Sequence, residues 1–185
     1  NAGLARRSDK FGVYAMAAAS DAMKDSGRKS GENIDPERLG VYIGSGIGGM
    51  DTFVNQTKVM IEEGVHRISP FFVPMMISNI ASGNVAISHN AQGVCLPVVT
   101  ACATGTHAAV EAFRATKHGY ADAIICGGAE ASIHPLAIGG FANSKALSRS
   151  EDPLTASLPF SADRHGFVIA EGAGMMIFES LDNAL

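Results

Sequence analysis

The chain has 185 residues, of which 46% are hydrophobic and 17% charged, which suits a globular chain within single-domain size. A net charge of -4, from 14 basic and 18 acidic residues, excludes the basic footprint that nucleic-acid binding needs. Three cysteines without framework spacing point to a reducing, cytoplasmic setting, and no apolar run suits a membrane span or a leader. The chain begins at Asn1 rather than methionine, so a piece of a longer protein is expected.

In chain order, residues 8 to 26 predict a helix with Phe11, Tyr14, Ala15, Ala18 and Ala22 on one face, Ser8 as N-cap and Gly27 as terminator. Arg6, Arg7 and Lys10 form a small basic cluster at its start, which by sequence alone reads as a solvated surface. Arg28 to Arg38 reads as a loop. A short apolar strand, Gly40 to Ser45, then runs into GSGIGG and a helix over 50–63. Gly44, Gly46 and Gly49 match a dinucleotide-binding spacing, but the acids at the required distance, Glu62 and Glu63, end a helix instead of a second strand. Close backbone approach to another segment is the better reading of these glycines.

A helix from about Pro74 to His89 is expected next, after a Pro-flanked loop carrying Phe71 and Phe72. The run VVTACATGTHA follows. Val98 to Thr100 reads as a strand and the small residues after Cys102 as a helix, which places Cys102 where strand becomes helix. There the unpaired first-turn N–H groups and the helix dipole favour a thiolate and can stabilise an oxyanion. Cys95 and Cys126, within apolar runs, read as buried. After Gly119, Ala123 to Cys126 predicts another strand, Ser132 to Gly166 an irregular packed region, and about Gly174 to Glu179 a last strand. The fold class is therefore α/β with a covered, largely parallel sheet.

The series GSGIGGM, SPFFVPMMISNIASG, VVTACATG, ICGGAEASIHPLAIGGFANSKALS and PFSADRHGFVIAEGAGMMIFE resembles, in order and spacing, the first half of bacterial β-ketoacyl-acyl-carrier-protein synthases of the second kind. The resemblance implies a thiolase-like fold of layered sheet and helices, with a buried helix after the nucleophile. Residues 1–185 would form its N-terminal domain, truncated at both ends. It further implies Cys102 as acyl acceptor, with its N–H as half of an oxyanion hole, and Phe141 as the aromatic beside it. Ile47 would line the acyl channel at the glycine turn, and Phe72 the channel of a partner subunit in a homodimer. The implied partner is acyl carrier protein, which is acidic, so Arg6, Arg7 and Lys10 become a candidate docking patch. No metal or organic cofactor is implied.

Ser161, His165 and Ala170 depart from the residues usual in that family. Its two catalytic histidines, its lysine and the phenylalanine completing the oxyanion hole belong to a second half not contained in these residues. His66, His89, His107, His118, His134 and His165 show no metal-ligand spacing and receive no role. The sequence leaves open a cysteine hydrolase, a dinucleotide-binding domain and a non-catalytic condensing-enzyme-like subunit.

Overall fold

A computed structural model describes residues 2–185; Asn1 lies outside the described residues. The elements in order are α1 (Ala2–Ala5), α2 (Lys10–Ser26), β1 (Leu39–Gly44), α3 (Met50–Glu63), α4 (Phe72–Met76), α5 (Ile80–Ser88), β2 (Cys95–Leu96), α6 (Thr104–Lys117), β3 (Ala123–Glu130), α7 (Pro135–Asn143), α8 (Pro153–Ala156), β4 (Gly172–Glu179) and α9 (Leu181–Ala184). The strands form one sheet in the order β2-β1-β3-β4, parallel except for the antiparallel β3/β4 pair.

Alternation along β1 and β3 divides the core between two layers, because successive side chains point to opposite faces of a sheet. Leu39, Val41, Ile43, Ala123 and Ile125 face α2 and α5, where they meet Phe11, Ala15, Ala19 and Val85. Tyr42, Ile124 and Cys126 face α6, where they meet Ala112 and Ala115. Alanines on that side of α6 let the helix lie close to the sheet. The site at its N-terminus is therefore held against the ends of β1 and β3.

The buried stripe of α2 is Phe11, Ala15, Ala19 and Met23, and its N-cap is Asp9 rather than Ser8. The Asp9 carboxylate caps a different helix, accepting from Thr52 N–H at 2.8 Å and Thr52 Oγ1 at 2.6 Å in the first turn of α3. The expected helix over 74–89 is two helices, broken where Ile77 is extended. Tertiary contact explains the break: Gly49 N–H takes the Met76 carbonyl at 3.0 Å, diverting it from a helical ladder.

The ladder expected at Val98 to Thr100 lies earlier, at Cys95 and Leu96 opposite Val41 and Tyr42. Pro97 has no N–H to continue it. Residues 132–166 are also more regular than expected, since α7 and α8 lie there. Several of their apolar side chains, including Leu136, Leu154 and Phe160, are exposed rather than packed.

Candidate active site

Cys102 is exposed, in a single 3-10 turn (Ala101–Ala103) that leads directly into α6. The residue before it is in the left-handed region, Ala101 with φ 52°, a conformation that costs a non-glycine residue about 1–3 kcal/mol. Thr104 holds the turn from inside the protein. Its Oγ1 accepts from Thr100 N–H at 2.9 Å and donates to the Ala101 carbonyl at 2.7 Å, bracketing the cysteine. Ala103 N–H bonds the Thr100 carbonyl and Thr104 N–H the Ala101 carbonyl, and neither bond uses the Cys102 N–H. Thr104→Val, equal in shape, should lower stability by about 1–3 kcal/mol, because it strands the Thr100 N–H and takes one of its two donors from the Ala101 carbonyl. It should also slow modification of Cys102, which denaturant unfolding and iodoacetamide kinetics would check separately.

The Cys102 turn opens on a cavity of about 630 Å³ that is also lined by Ile47, Phe141, Phe167, Val168 and Ile169. Three of the residues singled out from the sequence, Cys102, Ile47 and Phe141, thus share one space. The Phe141 ring is met edge-on by Phe167, with centroids 5.3 Å apart. Phe167 was not singled out from the sequence, although it stands in the motif GFVIAEG.

Phe72 is elsewhere, half-buried at the start of α4 with its ring 6.3 Å from that of Phe53. The basic cluster is also apart from the cavity and partly engaged. Lys10 pairs with Asp51 at 2.9 Å, and this hydrogen bond raises its pKa. The Arg7 guanidinium lies 4.9 Å from the Phe71 ring centroid, while Arg6 is exposed.

The glycine turn after β1 does not offer a phosphate site. Its Gly46 and Ile47 N–H groups donate to the Glu130 carboxylate at 2.8 and 3.2 Å, which puts negative charge where a pyrophosphate would lie. No histidine lines the Cys102 cavity among the described residues. His107 Nδ1 lies 2.8 Å from Thr100 Oγ1, and His134 caps α7 by accepting from Leu136 N–H. Among the described residues no group of three or more His, Cys, Asp or Glu side chains could hold a metal ion.

The other cysteines differ from expectation in one case. Cys126 is buried as expected, but Cys95 lies exposed on the short edge strand, because only one side of β2 is paired. Burial raises the Cys126 thiol to about 12 from an ordinary value of 9.0, and partial desolvation raises that of Cys95 although its side chain still reaches solvent. Cys102 should therefore alkylate first, Cys95 more slowly and Cys126 only after unfolding, an order that peptide mass mapping would read. A raised thiol pKa adds stability that is complete below pH 9.0 and lost as pH climbs toward about 12. Unfolding by urea at alkaline pH should show this loss, and Cys126→Ala should reduce it.

A layered α/β fold, with a cysteine just after a strained corner at a helix start and above a largely apolar cavity, is of the thiolase-like class. The model of the β-ketoacyl synthase N-terminal domain matches residues 3–184, and the chain belongs to that family. It is 50% identical over 180 residues to 3-oxoacyl-[acyl-carrier-protein] synthase 2 of Staphylococcus aureus, which covers 97% of this chain and 44% of that protein. Identity to the protein of the same name from Synechocystis is 47% over 182 residues, covering 98% of this chain and 44% of the relative. The chain thus spans less than half the length of these relatives.

Solved structures agree. A β-ketoacyl synthase from Burkholderia phymatum superposes with TM-score 0.86 at 28% identity, covering 97% of this chain and 44% of that one. A type II PKS ketosynthase, in complex with its acyl-carrier protein and bound to the hexaketide, gives TM-score 0.85 at 32% identity, covering 95% and 44%.

Proposed function

We propose that the protein containing this chain is a 3-oxoacyl-[acyl-carrier-protein] synthase that elongates acyl chains in fatty acid biosynthesis. The observation that carries this reading is Cys102 at the mouth of a largely apolar cavity shared with Ile47 and Phe141. In the first half-reaction the Cys102 sulfur attacks the carbonyl of an acyl thioester, the carrier thiol leaves, and the acyl chain enters the cavity. In the second, malonyl-carrier protein loses carbon dioxide, and the resulting carbanion attacks the Cys102 thioester to release a 3-oxoacyl product and regenerate the thiol. Covalent capture divides one difficult step into two. In this reading the Cys102 N–H would supply half of the oxyanion hole.

Residues 1–185 would serve as the N-terminal domain of this enzyme. The charge formed during decarboxylation needs preorganised donors, which the family resemblance assigns to a histidine pair with no counterpart in these residues. This chain by itself should accept an acyl group on Cys102 slowly and should not condense. The full-length protein, given acyl- and malonyl-carrier protein, should release carbon dioxide and 3-oxoacyl product together. Free fatty acid with no 3-oxoacyl product would replace this reading with a hydrolase.

Acyl carrier protein is the partner this reading requires, and a ketosynthase of similar structure is complexed with one. Arg6, Arg7 and Lys10 would form the docking patch, with Lys10 already shared with Asp51. Arg6→Glu with Arg7→Glu should raise KM for acyl-carrier substrate several-fold at low salt, while small thioester analogues change little. An unchanged KM returns these arginines to an ordinary solvated surface. The reading includes a homodimer, in which Phe72 lines the partner's channel. That role is supported by the exposed apolar side chains of Phe53 and Ile61 on α3 and of Phe71 and Val73 beside Phe72 in sequence. Three free cysteines suit its cytoplasmic setting, and no helix among the described residues is long and apolar enough to cross a membrane.

A further inference from the structure

Glu130 ends β3 beside the glycine turn, because the register that sets Gly44 against Gly128 carries both strands toward the same end of the sheet. Its carboxylate takes four donors. Oε2 accepts from Gly46 and Ile47 N–H at 2.8 and 3.2 Å, and Oε1 from the Ser45 and Ser132 hydroxyls at 3.0 and 3.2 Å. Ser45 Oγ in turn accepts from Gly48 N–H at 2.9 Å, so the turn from 45 to 48 hangs on one side chain. The space around it is closed. A Cβ on Gly46 would stand 2.9 Å from Glu130 Oε2 and 3.6 Å from the carbonyl oxygen of Ala101, the residue before Cys102. Glu130 lines the same cavity as Cys102, Ile47 and Phe141.

We infer that Glu130 is a positioning residue that sets acyl-chain preference by fixing where Ile47 stands in the cavity wall. The inference rests on the reading of Cys102 as acyl acceptor. All four of its donors belong to the wall of the cavity, and Glu130 belongs to neither core cluster. Charge-assisted hydrogen bonds to two consecutive backbone N–H groups hold a turn more tightly than contact alone. If the acyl chain runs from Cys102 along the wall that carries Ile47, as the proposed function has it, a long chain reaches Ile47 and a short one ends nearer the sulfur. Release of the turn therefore penalises the long chain selectively.

The test is made in the full-length protein with dodecanoyl- and butyryl-carrier protein, following acylation of Cys102 by intact mass. Glu130→Ala removes the acceptor and Glu130→Asp withdraws it by one methylene. Both should lower the long-to-short rate ratio by about tenfold, as expected for a misplaced substrate wall. Glu130→Gln can keep its carbonyl oxygen on the two N–H groups while its amide donates to the serine hydroxyls, and should restore the ratio to within about twofold of wild type. Iodoacetamide labelling of Cys102, which needs no channel, should change little in all three. An unchanged ratio in the Asp and Ala variants overturns the inference, as does an equal fall in both acyl rates and in labelling. Should the Ala variant not fold, the Asp and Gln variants decide it. A wild-type protein that takes up neither acyl group overturns the reading of Cys102 as well, which separates the two failures.

Discussion

Gly44→Ala should leave a protein that acylates Cys102 about a hundredfold more slowly, as a displacement near 1 Å at the reacting atom can do. The added Cβ would lie 2.1 Å from the Val98 carbonyl oxygen and 2.2 Å from Thr104 Cγ2. Neither neighbour can yield cheaply. Val98 is backbone leading to the nucleophile, and Thr104 is buried with its hydroxyl bridging Thr100 and Ala101. Movement of either carries the Cys102 turn with it, and overpacking of this kind costs about 1–3 kcal/mol of stability. Gly139→Ala in α7 is the control, because nothing lies within 4 Å of its added Cβ. That variant should be neutral or slightly stabilised. Thermal unfolding together with acylation kinetics on both variants separates a local steric effect from a general intolerance of alanine.

Cys102→Ala should have the opposite signature, losing condensation by roughly a thousandfold or more while stability stays within about 0.5 kcal/mol of wild type. The side chain is exposed, so its removal opens no core cavity. Its chemistry cannot be supplied by the other cysteines, since Cys126 is buried and neither Cys95 nor Cys126 lines the cavity. Residual condensation near the wild-type rate would show that the acyl group is carried elsewhere. Product assays and denaturant midpoints on the same preparation give both halves of the comparison.

Much of the architecture was legible because local pattern and burial agree. The apolar run of β1, the periodicity of α3 and the small residues of α6 each predict the element found there. Elements escaped where tertiary contact overrides local preference. Residues 74–89 have helical character throughout, yet Gly49 takes the Met76 carbonyl and the helix divides. α7 was hidden by Gly139 and Gly140, although His134 before Pro135 is a legible helix start: the histidine accepts from Leu136 N–H and proline occupies the first turn. In the site, Cys102 was legible from its place before a helix of small residues, Ile47 and Phe141 were reached through the family resemblance, and the three share the cavity. Glu130 and Thr104 were missed, since their importance lies in bonds to turns that only the fold brings alongside. An acid closing an otherwise apolar strand was the one signal for Glu130 in the sequence.

The measurement that bears most directly on this account is the intact mass of the full-length protein after incubation with acyl-carrier protein, followed by peptide mapping. The account predicts addition of one acyl group, located on Cys102, that disappears when malonyl-carrier protein is added and is recovered in a 3-oxoacyl product. An acyl group mapped to Cys95 or to a serine, or an acyl-Cys102 that malonyl-carrier protein leaves untouched, would contradict it.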